Sequence, residues 1–409
     1  MAEQLRASRS TLHSVSEIER ALARIWAGAA ARKADEDEHH VAVRSSVLNL
    51  VVVAGRRETA ERCAATIAAT AGRHPSRSLI LSTVDVDGPS SLDAWIEALS
   101  LATSAGTAQT GAETIHVSAH GDTGRQLASI IVPLLVPDLP VALWWPHDPQ
   151  FRLHRADRLL PIADRLIVDG SSWSGDGLDR LEAMARMARM ARMVQGQRLV
   201  VADFALLRQA RWREALASVY DLPDLRPHLR AVRSITVEYA APQDGDPAGL
   251  TNIVRPVYHV AWLASRLGMG VVLPLERGAD GRRTATLRQG DHSVSIELRP
   301  VRSELGEGST VRVEIVSRLR GAELVGDVAA SDRAVDVAIH DKGRERVRRT
   351  YLAPRLGEVD LLERALEESA GDSVAGEVLA MAGRLIAAEP APRGASASRS
   401  REQAQESRP

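Results

Sequence analysis

Cysteine is nearly missing: Cys63 is the single one in 409 residues. That excludes an internal disulfide framework and any cysteine-rich metal site. Lysine is almost missing too. Only Lys33 and Lys342 occur, so arginine supplies nearly all of the 52 basic residues. Such a bias reads as genomic base composition rather than function. Neither charge sign dominates, with 52 Lys+Arg against 53 Asp+Glu and a formal net charge of −1. Dedicated nucleic-acid binders usually carry a basic excess, so that class is disfavoured. No apolar run approaches the ~20 residues that cross a bilayer. The opening MAEQLRASRSTLHSVSEIERALARIW is charged throughout and lacks the apolar stretch of a secretory leader. The expectation is a cytoplasmic protein with neither membrane nor nucleic acid as partner. Aromatics are scarce at 3%, yet seven are tryptophan. Each indole buries a large area and carries one N–H that needs a partner, which makes these residues useful landmarks.

What is present is enough apolar residue for packed cores, 44% of the chain, and enough length for two or three domains. Residues 14–33 read as a helix, with Ser16 as cap, Glu19 at the third helical position, and Ile18, Leu22, Ile25 and Trp26 on one face. Beyond the loop DEDEHH (35–40), β-rich runs alternate with helical segments. VLNLVVVAG (47–55), SRSLILSTVD (76–85), TIHVSAHG (114–121), LPVALWWP (139–146) and DRLIVDGSSW (164–173) read as strands. Residues 57–72, 91–106 and 124–138 read as helices between them. This alternation implies a parallel sheet with covering helices, doubly wound. QRLVVADF (197–204) is a further strand, 206–221 a helix, RAVRSITVEYA (230–240) a strand and 254–268 a helix. From 271 to about 349 the pattern becomes period-two alternation, as in SVSIEL and VRVEIV, which marks antiparallel strands with one wet face. Two helices close the fold. The fold class is therefore α/β: an N-terminal, mostly parallel sheet with covering helices, plus a C-terminal mixed α+β domain with antiparallel strands. The expected organisation is an N-terminal helix and loop (1–40), an α/β domain (41–195), a C-terminal α+β domain (196–389) and a disordered tail (390–409).

Catalytic signatures are sparse. There is no G-x-x-x-x-G-K-[ST] and no G-x-G-x-x-G after a strand, and no G-x-S-x-G elbow. The closest approach to a phosphate cradle is SAHGDTGRQ (118–126), where His120, Gly121, Gly124 and Arg125 could hold an anion at a helix start. The alternative is an ordinary turn capped by Asp122 or Thr123. Cys63 sits in an Ala-rich segment and reads as a small buried side chain. The histidines match no strong metal spacing, and Asp85 and Asp87 read as turn residues rather than an acid/base pair. MARMARMARM (184–193) repeats with period three, so its methionines wind around a helix instead of forming a stripe. Either that is an adaptable contact face or a local duplication of no consequence.

The most informative stretch is PLLVPDLPVALWWPHDP (133–149). Adjacent strand side chains point to opposite faces, so Trp144 and Trp145 cannot both face the same way. Either one indole is an aromatic anchor for a partner, or both are covered within the chain.

Together with RSSVLNLVVVA (44–54), RHPSRSLIL (73–81), LASIIVPLLVPDLPVALWWP (127–146), DRLIVDGSSW (164–173), ARWREALASVYD (210–221) and VAWLASRLG (260–268), this stretch resembles the OpcA family of glucose-6-phosphate dehydrogenase assembly proteins. The segments run in the family's order. The chain departs at ADFALLRQARW (202–212), which lacks the family's Trp-Thr-Arg-Leu type run, and at His147, where a small residue is usual. The resemblance implies a non-enzymatic assembly factor and allosteric activator of glucose-6-phosphate dehydrogenase, supporting the oxidative pentose phosphate pathway and requiring no cofactor. On that reading the partner-binding candidates are Asp138, Trp144, Trp145, Trp212, Arg213 and Arg266. Arg213 could instead pair locally with Glu214 or Asp221, and Arg266 could simply point to solvent. The competing expectation is a sugar-phosphate- or nucleotide-binding α/β protein or enzyme that uses the 118–126 turn.

Overall fold

The computed structural model describes residues 2–4, 8–34, 41–44, 46–84, 88–102, 108–147, 159–194, 199–242, 249–278, 280–330, 333–368 and 373–387. The loop read at 35–40, Asp85 and Asp87, and the tail at 390–409 lie outside them. In chain order the strands are β1 (Ala2–Gln4), β2 (Ser8–Leu12), β3 (Val41–Arg44), β4 (Leu48–Val53), β5 (Ser76–Val84), β6 (Ser91–Ala102), β7 (Ala108–His120), β8 (Val141–Trp145), β9 (Arg165–Val168) and β10 (Val200–Asp203). They continue with β11 (Val232–Ala241), β12 (Gly270–Arg277), β13 (Arg283–Gln289), β14 (His292–Arg302), β15 (Thr310–Leu319), β16 (Ala322–Ala330), β17 (Ala334–Asp341) and β18 (Arg344–Leu352). The helices are α1 (Val15–Ala34), α2 (Arg57–Thr70), α3 (Gly121–Arg125), α4 (Leu127–Leu134), α5 (Leu178–Val194), α6 (Phe204–Leu207), α7 (Ala210–Tyr220), α8 (Val254–Arg266), α9 (Glu358–Glu367) and α10 (Ser373–Ile386).

Among the described residues these strands form a ten-stranded and an eight-stranded sheet. In the first, β7-β5-β4-β8-β9-β10 are hydrogen-bonded in that order and all parallel. Renumbered from β4, that is the 3-2-1-4-5-6 order of doubly wound dinucleotide folds, with its switch point between β4 and β8. The central strands bury both faces, as β4 and β8 show, which their continuous β-branched and aromatic runs permit. α2 and α9 cover one face, around Cys63, Ile67, Trp144, Phe204 and Leu361. Ile18 and Leu22 of α1, with α4 and α5, cover the other, and that core runs on beneath the second sheet.

The second sheet has the order β12-β13-β14-β11-β15-β16-β17-β18. It is antiparallel apart from the parallel β11–β14 pair. The fold class read from the pattern is the one observed. The boundary placed between 195 and 196 does not coincide with the sheets. β10 pairs with β9 in the first sheet, and α9 returns from the far end of the chain to pack on α2.

Two local expectations need correction. Residues 91–106 contain the strand β6, not a helix. Its inward residues Ala94, Ile96 and Ala98 alternate with the half-buried Asp93, Trp95 and Glu97, and it pairs antiparallel with β7. Helix-forming residue types concealed a period of two, and pairing with a long neighbour overrides propensity. The cap of α1 lies two residues earlier than read: Ser14 Oγ accepts from Glu17 N at 3.3 Å, while Glu17 reaches back to His13 N at 2.8 Å.

Candidate functional site

Two apolar runs end in aspartate, and their strands lie side by side. Asp169 follows β9 and Asp203 closes β10, so both carboxylates stand at the carboxyl edge of the parallel sheet, where doubly wound proteins place their sites. Asp203 is buried. Its Oδ1 accepts from Gly170 N and Ala205 N, both at 2.8 Å, and its Oδ2 accepts from Tyr258 Oη at 2.7 Å. Burial, reinforced by the neighbouring Asp169, pushes this carboxyl up to about 6 despite those donors. Gly170 is required here: a Cβ would stand 2.6 Å from Asp203 Oδ2 and 2.8 Å from Val254 Cγ1. Asp169 accepts from both terminal nitrogens of Arg208, at 2.8 and 3.0 Å. Burial alone would raise the Asp169 carboxyl, but Arg208 and Ser171 hold it below the ordinary range. The Tyr258 bond ties the first sheet to α8, which packs on β11 of the second.

Tyr258→Phe is therefore expected to cost about 1.5–3 kcal/mol at pH 8, where Asp203 is ionised, and only about 0.5–1.5 kcal/mol at pH 5, where it is protonated. Urea unfolding at the two pH values measures the difference. Equal losses would mean that the carboxyl keeps one charge state throughout.

Beside this cluster opens a cavity of about 420 Å³. It is bounded by the first turns of α7 and α8, the 305–310 loop and the 353–356 linker into α9. Trp212 forms part of the wall and tilts on His259, with ring centroids 5.0 Å apart at 58°. His259 is buried. Burial, with Arg213 and Arg255 nearby, drives its imidazole down to about 3, so it is neutral at physiological pH. Arg255 donates from Nη1 to Ser309 Oγ at 2.9 Å, and its backbone carbonyl accepts from Gln209 Nε2 at 2.7 Å.

The residues singled out from sequence scatter around the fold. Trp144 is 0% exposed and Trp145 6% exposed, one on each face of β8. Helices cover both faces of that strand, so neither indole is available as an exposed anchor, and that expectation is corrected. Glu214 pairs with Arg211 at 2.7 Å, and Arg213 donates to the Leu206 carbonyl at 2.9 Å. Arg266 is exposed and pairs with Glu377 of α10. Asp138 is exposed at the apex of a turn with φ 64°, which Asn49 holds by accepting from Val136 N and donating to the Val136 carbonyl.

At the 118–126 turn, His120 is half-buried and Gly121 has φ +57°. The backbone of Gly88 and Ser90 already lies 2.8–3.0 Å from where a Gly121 Cβ would be. Asp122 N donates to Ser90 Oγ. That face of the turn is occupied by the chain itself, so it is not the open cradle expected. Gly124 and Arg125 lie in α3, and the Arg125 side chain is outside the described residues. Burial pushes the Cys63 thiol up to about 12, which makes it inert at neutral pH. The methionines precess as expected: Met184 is buried, Met187 half-buried and Met190 57% exposed. The sequence reading missed Asp169, Asp203, Arg255 and Tyr258. The twin endings RLIVD and LVVAD were the available signal for the two carboxylates.

At the switch point, β4 runs into Ala54-Gly55-Arg56-Arg57 rather than a glycine-rich turn, and His147 Nε2 meets the Ala54 carbonyl across from β8. Among the described residues no group of three or more His, Cys, Asp or Glu could hold a metal ion, and no helix is long and apolar enough to cross a membrane. These features define a two-sheet α/β protein of doubly wound topology in which the usual pyrophosphate turn is replaced. Residues 51–188 match the glucose-6-phosphate dehydrogenase subunit N-terminal domain, and residues 199–379 match the corresponding C-terminal domain. The chain belongs to the OpcA family.

Among curated relatives it is similar to the OxPP cycle protein OpcA of Synechocystis sp., 28% identical over 155 residues, covering 38% of this chain and 29% of that one. It is also similar to its namesake in Synechococcus elongatus, 26% identical over 174 residues, covering 42% and 35%. The chain thus aligns with about a third of the length of these relatives. Among solved structures, the WlbA dehydrogenase of Thermus thermophilus, bound to NAD and UDP-GlcNAcA, aligns with a TM-score of 0.41 at 12% identity, over 84% of this chain and 97% of that one.

Proposed function

We propose that this chain docks onto glucose-6-phosphate dehydrogenase and favours its assembled, active form, and that it turns over no substrate of its own. The observation that carries the reading is the pair of consecutive matches to dehydrogenase-subunit domains over 51–379. The switch point adds support, since the turn after β4 carries the single Gly55 followed by Arg56 and Arg57, and His147 after β8 closes on its Ala54 carbonyl, where a nucleotide-dependent enzyme of this topology would expose a run of glycine amides. A protein that binds one state of a partner more tightly shifts that partner by its differential affinity, and needs no chemistry to do so. With Trp144 and Trp145 covered, the docking candidates that remain at the surface are Asp138, Arg266 and the half-buried Trp212 and Arg213.

The test is dehydrogenase kinetics at low substrate with and without the chain, using the enzyme from the same source, alongside gel filtration of the mixture. Co-elution and a faster rate are expected; separate elution with unchanged rates would overturn the reading. Arg266→Ala removes only an exposed ion pair, so its melting temperature should stay near that of the parent chain. Any loss of activation in that variant then reports docking rather than folding.

A further inference from the structure

The cavity between α7, α8 and the 353–356 linker concentrates positive charge. Arg208, Arg211, Arg255, Arg355 and Arg364 line it, against one carboxylate, Glu307. Arg208 and Arg211 are engaged by Asp169 and Glu214. The Arg364 side chain has no ion pair among the described residues, and Arg255 Nε has no acceptor. Three further lining residues, each at least nine-tenths buried, also carry an unpartnered polar atom: Gln209 Oε1, His259 Nε2 and Thr310 Oγ1. A buried polar atom left unpaired costs about 1–3 kcal/mol and native structures hold few of them, so four gathered just behind one wall mark this as an unusually polar lining. The volume lies within the ~300–1,000 Å³ of small-molecule sites.

We propose that this cavity binds a small phosphorylated organic molecule, with its phosphate held by Arg255 and Arg364 and its carbon body laid against Trp212. Guanidinium forks match the oxygens of a phosphate in paired geometry. Arg255 and Arg364 against Glu307 leave the lining net positive, which suits an anion, and the indole offers a flat apolar wall to a carbon skeleton. Glu307 supplies an acceptor for hydroxyl groups on that skeleton. The site does not depend on the docking reading, because it is tested on the full chain alone.

The experiment is calorimetric titration and intrinsic fluorescence at fixed ionic strength, with glucose 6-phosphate as a phosphate monoester on a polyol. Inorganic phosphate and glucose serve as the two half-ligands. Glucose 6-phosphate should bind saturably, inorganic phosphate more weakly, and glucose not at all. Arg364→Ala on α9, which breaks no ion pair among the described residues, should weaken binding about tenfold or more with little change in melting temperature. Trp212→Phe should remove the fluorescence response. Arg255→Met should weaken binding further; should that half-buried substitution disturb folding, Arg364→Ala carries the test. The proposal is overturned by the absence of saturable binding, by equal affinity for inorganic phosphate and the sugar phosphate, or by binding that ignores both Arg364→Ala and Trp212→Phe.

Discussion

Trp144→Ala is expected to lower stability by about 3–5 kcal/mol, a large part of the total for a domain of this size. The indole is fully buried in β8, tilted against Phe204 with ring centroids 6.1 Å apart at 51°. Cys63 and Ile67 of α2 and Leu361 and Leu362 of α9 belong to the same buried cluster, so segments distant in sequence share the layer that this indole fills. Truncation removes the largest apolar surface in that layer and leaves a cavity that a strand hydrogen-bonded on both sides cannot close. Trp144→Phe should cost much less, because the indole N–H has no partner and its removal relieves an unpaired donor. Urea unfolding of the two variants measures the contrast. A Trp144→Ala chain that melts normally yet fails to activate the dehydrogenase would restore this residue to the docking surface.

The parallel core was legible because burial on both faces leaves long uninterrupted β-rich runs, as in LNLVVV and VALWW. The antiparallel strands of the second sheet were legible for the complementary reason, a wet face every second residue. β6 was not, because SLDAWIEALSLA is built of good helix formers and its period of two is carried by small residues. The site was less legible still. Asp203 and Tyr258 are 55 residues apart and meet only because the fold brings α8 to the carboxyl end of β10. Arg255 and His259 sit in a segment that reads as an ordinary amphipathic helix. Their chemistry comes from what the 305–310 loop and the 353–356 linker bring alongside them, and no local pattern records that. Trp144 and Trp145 show the converse. Sequence marked them correctly as landmarks, but the same run of apolar residues suits an interface or a core, and only the helices on both faces of β8 decide between them.

Acidification should destabilise the chain through His259, with the loss beginning near pH 6.5. Its imidazole is driven from an ordinary 6.5 down to about 3, first by burial and then by Arg213 and Arg255. Below pH 6.5 the unfolded chain takes up a proton there and the folded chain does not, so stability falls as pH falls through this window. At about 1.4 kcal/mol per pH unit, this one residue contributes a loss of about 3 kcal/mol by pH 4.5 and about 4 kcal/mol near pH 3. Asp203 works the other way. Its folded value of about 6 lies above the ordinary aspartate value of 3.8, so its burial penalty is relieved as pH drops from 6 towards 4. The parent curve therefore contains two opposed effects, and a variant is needed to separate them. His259→Phe keeps an aromatic ring against Trp212 and abolishes the titration, so its stability at pH 4.5, relative to pH 7.5, should fall about 3 kcal/mol less than that of the parent chain. Urea unfolding at both pH values measures this difference. Parallel pH profiles would mean that the imidazole is hydrated and titrates near its ordinary value, and the wall of the cavity would then be wetter than its burial implies.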